Sequence, residues 1–211
     1  MQAGAIPLRD RLAATGFVHI PAGGYDLDVV LRDLGQVVDR TTVSLRPDIN
    51  TYLCQPESIP PHTDHPVARW IAWRCVEQDA VGGDQWLVDG HAALAQCDAS
   101  TTQVLTRTLL PARRRSGCEV AATPIVAQVV EEPHIFFAPW LTPLRMDPDI
   151  ALALNLFKRL VSPESGCQHH SIRITPGDVL VVDNHRILHG RPAIAQDSRR
   201  RLDRFWIADR P

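Results

Sequence analysis

Two rhythms of apolar and polar residues run along the chain. Leu8 to Thr15 is a short amphipathic segment stopped by Gly16, which predicts a helix with a glycine end. Phe17-Val18-His19-Ile20 then reads as a strand, closed by the turn Pro21-Ala22-Gly23-Gly24. Leu27, Val30, Leu31, Leu34 and Val38 fall at helical spacing and predict a helix over 27–38. Thr41 to Pro61 is polar and proline-containing and predicts a loose connection. Val67 to Cys75 is apolar, aromatic and β-branched, a strand pattern. Gly82-Gly83 makes a turn and Gln85 to Val88 a returning strand, after which Asp89 caps a short helix towards Cys97. The strongest helix signal follows Asp147-Pro148-Asp149. Asp147 is an N-cap, Pro148 a first-turn proline, and Ile150, Leu154, Phe157 and Val161 form one stripe. In the last third Ser171 to Thr175 alternates, Pro176-Gly177-Asp178 turns, and Val179 to Val182 is a buried-looking strand. Arg204-Phe205-Trp206-Ile207 is a final strand.

Many short strands with a few helices predict a mainly β fold, a sandwich or barrel core with helices packed outside. At 211 residues the chain suits a single domain over 1–211. It is 45% hydrophobic and 22% charged with a net charge of −2, which excludes a disordered polyelectrolyte and gives no case for non-specific nucleic-acid binding. No apolar run approaches the roughly 18–20 residues of a membrane span. The segment MQAGAIPLRDRL lacks a signal peptide's apolar core, so a cytoplasmic protein is expected. Cys54, Cys75, Cys97, Cys118 and Cys167 form no C-x-x-C pair and read as reduced core residues rather than a disulfide framework or zinc ribbon. Arg113-Arg114-Arg115 reads as a solvated surface run. No G-x-G-x-x-G or G-x-x-x-x-G-K-[ST] motif is present, which argues against Rossmann and P-loop sites.

Three elements carry candidate chemistry. In His62-Thr63-Asp64, residues i and i+2 of an extended backbone point to one side, so an imidazole and a carboxylate could converge on one metal ion. Pro60, Pro61 and Pro66 frame and stiffen the triplet. Alone, H-x-D is a weak signal, and a loop histidine beside a charge is the plainer reading. The second element, Asp183-Asn184-His185-Arg186-Ile187-Leu188-His189-Gly190-Arg191, directly follows a buried strand, where two histidines and an aspartate are costly unless bonded. With His189 as a second imidazole, His62, Asp64 and His189 make a 2-His-1-carboxylate facial triad, the set that binds non-haem Fe(II) and leaves positions open for co-substrate and O2. The third element is Arg204, set among apolar residues, whose guanidinium fork suits the far carboxylate of a dicarboxylate co-substrate. Arg200 lies on the same strand face. His185 could line the pocket or partner Asp183. Arg186 and Arg191 flank His189 and either anchor a substrate carboxylate or form structural ion pairs. Trp70, Trp73 and Trp86 fall on strands near the site, and Trp140 is a pocket or core residue. His65 points away from Asp64, to a supporting or surface position.

The succession PPHTDHP, VGGDQWLVDG, PGDVLVVDNHRILHGR and RRLDRFWI resembles the taurine/clavaminate-type Fe(II)/2-oxoglutarate-dependent oxygenases from about Gly16 to Ile207. The third block is close to the distal-histidine motif of the clavaminate synthase and amino-acid hydroxylase branch. The resemblance implies a double-stranded β-helix, or jelly roll, with buttressing helices. It implies His62, Asp64 and His189 as iron ligands, Arg204 on the C5 carboxylate of 2-oxoglutarate, and Arg200 at its C1 end or shaping that pocket. Gln85 stands where relatives often carry a 2-oxoglutarate-touching Thr or Ser. Related halogenases have Gly or Ala in place of Asp64, so the carboxylate here favours hydroxylation over chlorination. The implied cofactors are Fe(II), 2-oxoglutarate as co-substrate and O2. The implied substrate is a small molecule, an amino acid or specialised metabolite, free or carrier-bound. The same site could serve desaturation, cyclisation or epimerisation, and a reading of another class is a jelly-roll metal- or ligand-binding protein without turnover.

Overall fold

Four aspartates start helices by taking up free backbone N–H groups, an interaction worth about 1 kcal/mol each. The chain's structure, a computed structural model, describes residues 7–46, 48–49, 51–111, 113–115, 118–129, 132–164 and 169–210. Helix α1 (Leu8–Thr15) ends at Gly16, whose φ is 76°. Asp26 caps α2 (Leu27–Leu34), Asp89 caps α3 (Gly90–Leu94), Asp98 caps α4 (Ala99–Arg107) and Asp147 caps α5 (Pro148–Leu160). None of the described helices is long and apolar enough to cross a membrane.

Nine strands build two antiparallel sheets: β1 (Phe17–Ile20), β2 (Gln36–Ser44), β3 (Ile59–His62), β4 (Trp70–Glu77), β5 (Gln85–Asp89), β6 (His169–Ile172), β7 (Val179–Asp183), β8 (Ile187–Arg191) and β9 (Arg201–Ala208). One sheet has the order β1-β7-β4-β9-β2 and the other β6-β5-β8-β3. Short two-stranded ribbons lie between residues 109 and 135. Side-chain alternation then sets the layers. Ile71, Trp73, Leu87, Leu180, Val182, Ile187, Leu202 and Trp206 come from both sheets and form one core between them. Trp70, Ala72, Val179, Val181, Phe205 and Ile207 face the other way and pack under α1 and α2. Val88 and Leu188 leave the second sheet outwards into a third core with α4 and α5, where Phe157 is fully buried.

The expected helix over 27–38 and the loose stretch after Thr41 are both corrected. The helix stops at Leu34, and 36–44 is strand β2, paired along its length with β9. Gly35, at φ 154°, turns the chain where an added Cβ would collide with the carbonyl of Ala208. The β-branched residues beyond it then extend along the sheet edge. Helix α4 had no counterpart in the sequence reading. Cys54, Cys75 and Cys97 are free thiols. The side chains of Arg113–Arg115, Cys118 and Cys167 lie outside the described residues.

Candidate metal centre

Strand register brings the two histidines together. In the β8–β3 pairing His189 lies opposite His62, and their ring centroids are 4.5 Å apart. Gly190 permits this approach, because a Cβ there would strike the backbone of Ile59 and Pro60. Asp64 follows two residues beyond His62. His62 Nε2 is 3.8 Å from Asp64 Oδ1, and His189 Nε2 is 3.8 Å from Asp64 Oδ2. The three candidate ligand atoms all lie within 4.8 Å of one another, and the two imidazole–carboxylate separations are too long for direct hydrogen bonds. All three residues are buried.

The protonation states suit a cation. His62 Nδ1 donates to the Pro60 carbonyl at 2.9 Å, which orients the ring with its Nε2 towards Asp64. Burial, reinforced by His62, pushes the His189 pKa down to about 3, so this imidazole stays neutral. Burial pushes the Asp64 carboxyl up, but Arg204, the two histidines and the Trp206 N–H together hold it well below the usual carboxylate range. Arg204 Nη1 lies 3.1 and 2.9 Å from the two oxygens of Asp64, and Trp206 Nε1 donates to Oδ2 at 2.8 Å.

Backbone pinning holds the triplet. Thr63 N donates to Phe137 O at 2.8 Å, and Phe137 N donates back to Thr63 Oγ1 at 2.9 Å. Asn184 Oδ1 accepts from the Asp64 amide at 2.7 Å, while its Nδ2 donates to Ala68 O at 2.9 Å and His65 O at 3.3 Å. Asn184 and Trp206 escaped the sequence reading. For Trp206 the signal was available, since it stands two residues beyond Arg204 on one strand and so shares its face. His65 is buried and stacks on Trp206 at 5.4 Å.

A cavity of about 30 Å³ adjoins the triad, lined by Gln85, Arg191, Arg200 and Arg204 together with His62 and His189. Arg200 Nε donates to Gly83 O at 3.1 Å. With the Gln85 amide oriented to satisfy both its ends, its oxygen accepts from Arg200 at 3.1 Å and its nitrogen donates to Gly190 O at 3.2 Å. Burial pushes the Arg200 pKa down to about 10. Arg204 Nε is buried and has no hydrogen-bond partner among the described residues. Three buried arginines thus line this cavity, and only Arg204 of them is paired with the buried carboxylate of Asp64, an arrangement with room for added negative charge. A larger, mostly apolar cavity of about 370 Å³ lies against Pro60, Pro61, Trp86 and Lys158 and contains none of the triad. Among the described residues its lining has no metal-ligating cluster.

The remaining candidates separate. Trp140 stands beside the triad, 4.7 Å from the His62 ring and 4.4 Å from Tyr52, an aromatic that sequence reasoning missed. Trp73 edges His189 at 4.8 Å, whereas Trp70 packs under the N-terminal helices and Trp86 lines the larger cavity. The Arg191 guanidinium donates to the carbonyls of Gln55, Pro56, Glu57 and Pro192, tying down the segment that follows Tyr52. Arg186 pairs with Asp89 at 2.7 Å. His185 bonds the Pro66 carbonyl and Arg69 and stacks on His134 at 4.2 Å, and burial pushes its pKa down to about 4.

Comparison with known proteins follows the same lines. The family model "Taurine catabolism dioxygenase TauD, TfdA family" matches residues 31–206. No curated protein sequence matches. Among solved structures, an asparagine oxygenase in complex with Fe(II), (2S,3S)-3-hydroxyasparagine and succinate superposes with a TM-score of 0.75 at 16% identity, covering 96% of this chain and 79% of that one. The non-heme iron oxygenase OrfP, in complex with Fe, succinate and (3S)-hydroxy-L-Arg, gives 0.73 at 18% identity, covering 95% and 79%. PvcB, an Fe, alpha-ketoglutarate dependent oxygenase from an isonitrile synthetic pathway, gives 0.68 at 21% identity, covering 95% and 78%.

Proposed function

The chain belongs to the TauD/TfdA dioxygenase family, and on that premise we propose that it is an Fe(II)- and 2-oxoglutarate-dependent oxygenase that hydroxylates an unactivated C–H bond of a small molecule. The substrate is an amino acid or a related specialised metabolite, free or carrier-bound, a reading supported by the hydroxylated amino acids in the asparagine oxygenase and OrfP complexes. The observation that carries the proposal is the meeting of two buried imidazoles and a buried carboxylate beside an excess of buried guanidinium charge. The two facing sheets support a double-stranded β-helix formed as one domain, and the free thiols suit a cytoplasmic setting.

His62, Asp64 and His189 would hold the iron. Their donor set is borderline nitrogen plus hard oxygen, which fits Fe(II) and leaves part of its coordination open. When bound, the iron supplies O2 activation coupled to oxidative decarboxylation of 2-oxoglutarate, and with it the attack on the C–H bond. Arg204 offers its unpartnered Nε and the rest of its fork to the C5 carboxylate, and Arg200, steadied by Gly83 O and Gln85, faces the C1 end. A cavity of about 30 Å³ has room for only one or two waters, so the dicarboxylate enters as Arg204 turns away from Asp64. Trp140 and Tyr52 form the wall that meets the substrate. Arg186, Arg191 and His185 act through the fold, because their polar atoms are already engaged.

The test is succinate release from 2-oxoglutarate, dependent on Fe(II) and O2, followed by a screen of free and carrier-linked amino acids. A gain of about 16 Da marks hydroxylation, and a loss of about 2 Da marks desaturation or cyclisation. Asp64→Ala is expected to abolish turnover. Full activity in that variant refutes the ligand assignment, and iron binding with no succinate favours a binding protein without turnover.

A further inference from the structure

We propose that Trp206 is a positioning residue for the metal centre: its indole N–H commits one oxygen of Asp64 and leaves the other as the single oxygen that ligates. This inference rests on the metal-site reading above. Asp64 Oδ2 accepts from Trp206 Nε1 at 2.8 Å and from Arg204 Nη1 at 2.9 Å, while among the described residues the one hydrogen bond to Oδ1 is the longer one from Arg204 at 3.1 Å. Each carboxylate oxygen has about two lone-pair sites, so Oδ2 is filled and Oδ1 retains a free one. Trp206 is 4% exposed and is fixed on both sides, by the core between the sheets and by its stack on His65, so its N–H cannot easily swing away.

The two donors are not equivalent. Arg204 also borders the co-substrate cavity, and a guanidinium that turns to a second carboxylate loosens its hold on the first. Trp206 has one N–H and is not among the residues lining that cavity. It is therefore the donor that Asp64 keeps through the reaction cycle. Backbone support from Asn184 fixes where Asp64 sits, and Trp206 fixes which oxygen it presents.

The test is Mn(II) affinity of the metal-free protein, read from the electron paramagnetic resonance signal of free Mn(II), with thermal unfolding in parallel. Trp206→Phe retains the ring and removes only the N–H. It is expected to weaken Mn(II) binding about 10–100-fold, the usual cost of losing a partner of a ligand. Unchanged Mn(II) affinity, with or without a lower Tm, overturns the proposal and leaves Trp206 a packing residue. Wild-type protein that binds no Mn(II), or binds it equally well after His62→Ala, overturns the metal-site reading itself. Should Trp206→Phe fail to fold, the wild type carries the test. The Trp206 indole N–H resonance is expected to shift on Zn(II) addition while staying protected from exchange, and a resonance that does not move overturns the proposal.

Discussion

Asn184→Ala isolates the contribution of backbone pinning to the site. The Asn184 side chain satisfies the Asp64 amide and the Ala68 carbonyl, at 2.7 and 2.9 Å, and reaches the His65 carbonyl at 3.3 Å. The His65 carbonyl also accepts from the Ala68 amide at 3.0 Å, so it is not orphaned by the substitution. Two buried backbone groups are. At about 1–3 kcal/mol each, and with partial relief from a water entering the space left behind, the loss is about 2–4 kcal/mol. For a chain of this length that is a fall of about 5–15 °C in Tm. Urea unfolding should show a lower midpoint with an unchanged slope, since the surface exposed on unfolding barely changes. Asn184→Asp keeps the acceptor for the Asp64 amide but loses the donor to Ala68 and buries a charge, so it should be no more stable than the alanine variant. A loss below about 0.5 kcal/mol in Asn184→Ala, the scale of an ordinary surface substitution, would refute the reasoning.

Tyr52→Ala and Trp140→Ala should each raise the KM of the prime substrate about 10-fold while leaving substrate-independent succinate release near wild type; an equal fall in both activities would mean the rings support the metal site instead. Burial holds His185 neutral in the fold, its pKa moved from an ordinary 6.5 down to about 4, so the unfolded chain takes up a proton that the folded chain refuses and stability falls as pH drops from about 6.5 to about 4. Urea midpoints across that window should fall less steeply in His185→Gln, and an unchanged slope would count against His185 as a source. An excess of guanidinium charge favours a dianion, so 2-oxoglutarate or succinate at about 100 times Kd should add about 2.7 kcal/mol and raise Tm by about 5–10 °C. Equal protection by pyruvate would show that a single carboxylate suffices.

Elements whose signals are local were legible in the sequence. The helix at 148–160 declared itself through Asp147, Pro148 and the stripe from Ile150 to Phe157, and all of these do what the pattern implies. The strand Val179–Asp183 was legible as a continuous apolar run, since both its faces are buried, one against α1 and α2 and one between the sheets. Strand β2 was not. Val37 and Val38 continue the helical spacing of Leu27 to Leu34, and the collision that makes Gly35 a break involves Ala208, 173 residues away. Helical periodicity reads only neighbours in the chain, whereas an edge strand exists because its partner strand β9 is there.

The same division runs through the site. His62, Asp64 and His189 were legible because each sits in a short motif with its own geometry, two residues apart or at the end of a strand. What the motifs leave out is the cost of burying them. An ionised carboxylate 3% exposed needs donors, and those donors come from β9, while the β7–β8 turn supplies the acceptor for the Asp64 amide; both lie more than a hundred residues away. Arg204 was identified from its suitability for a dicarboxylate, yet its Nη1 lies on Asp64. The pairing follows from register: His62 lies opposite His189, and Arg204 shares its face with Trp206 across the core from both. The candidate metal site and the arginine-lined cavity are therefore two halves of one charge balance, linked through the pairing of Asp64 with Arg204. A substitution on either side changes the field felt on the other, so effects of variants at Arg204 and at Asp64 should be strongly non-additive.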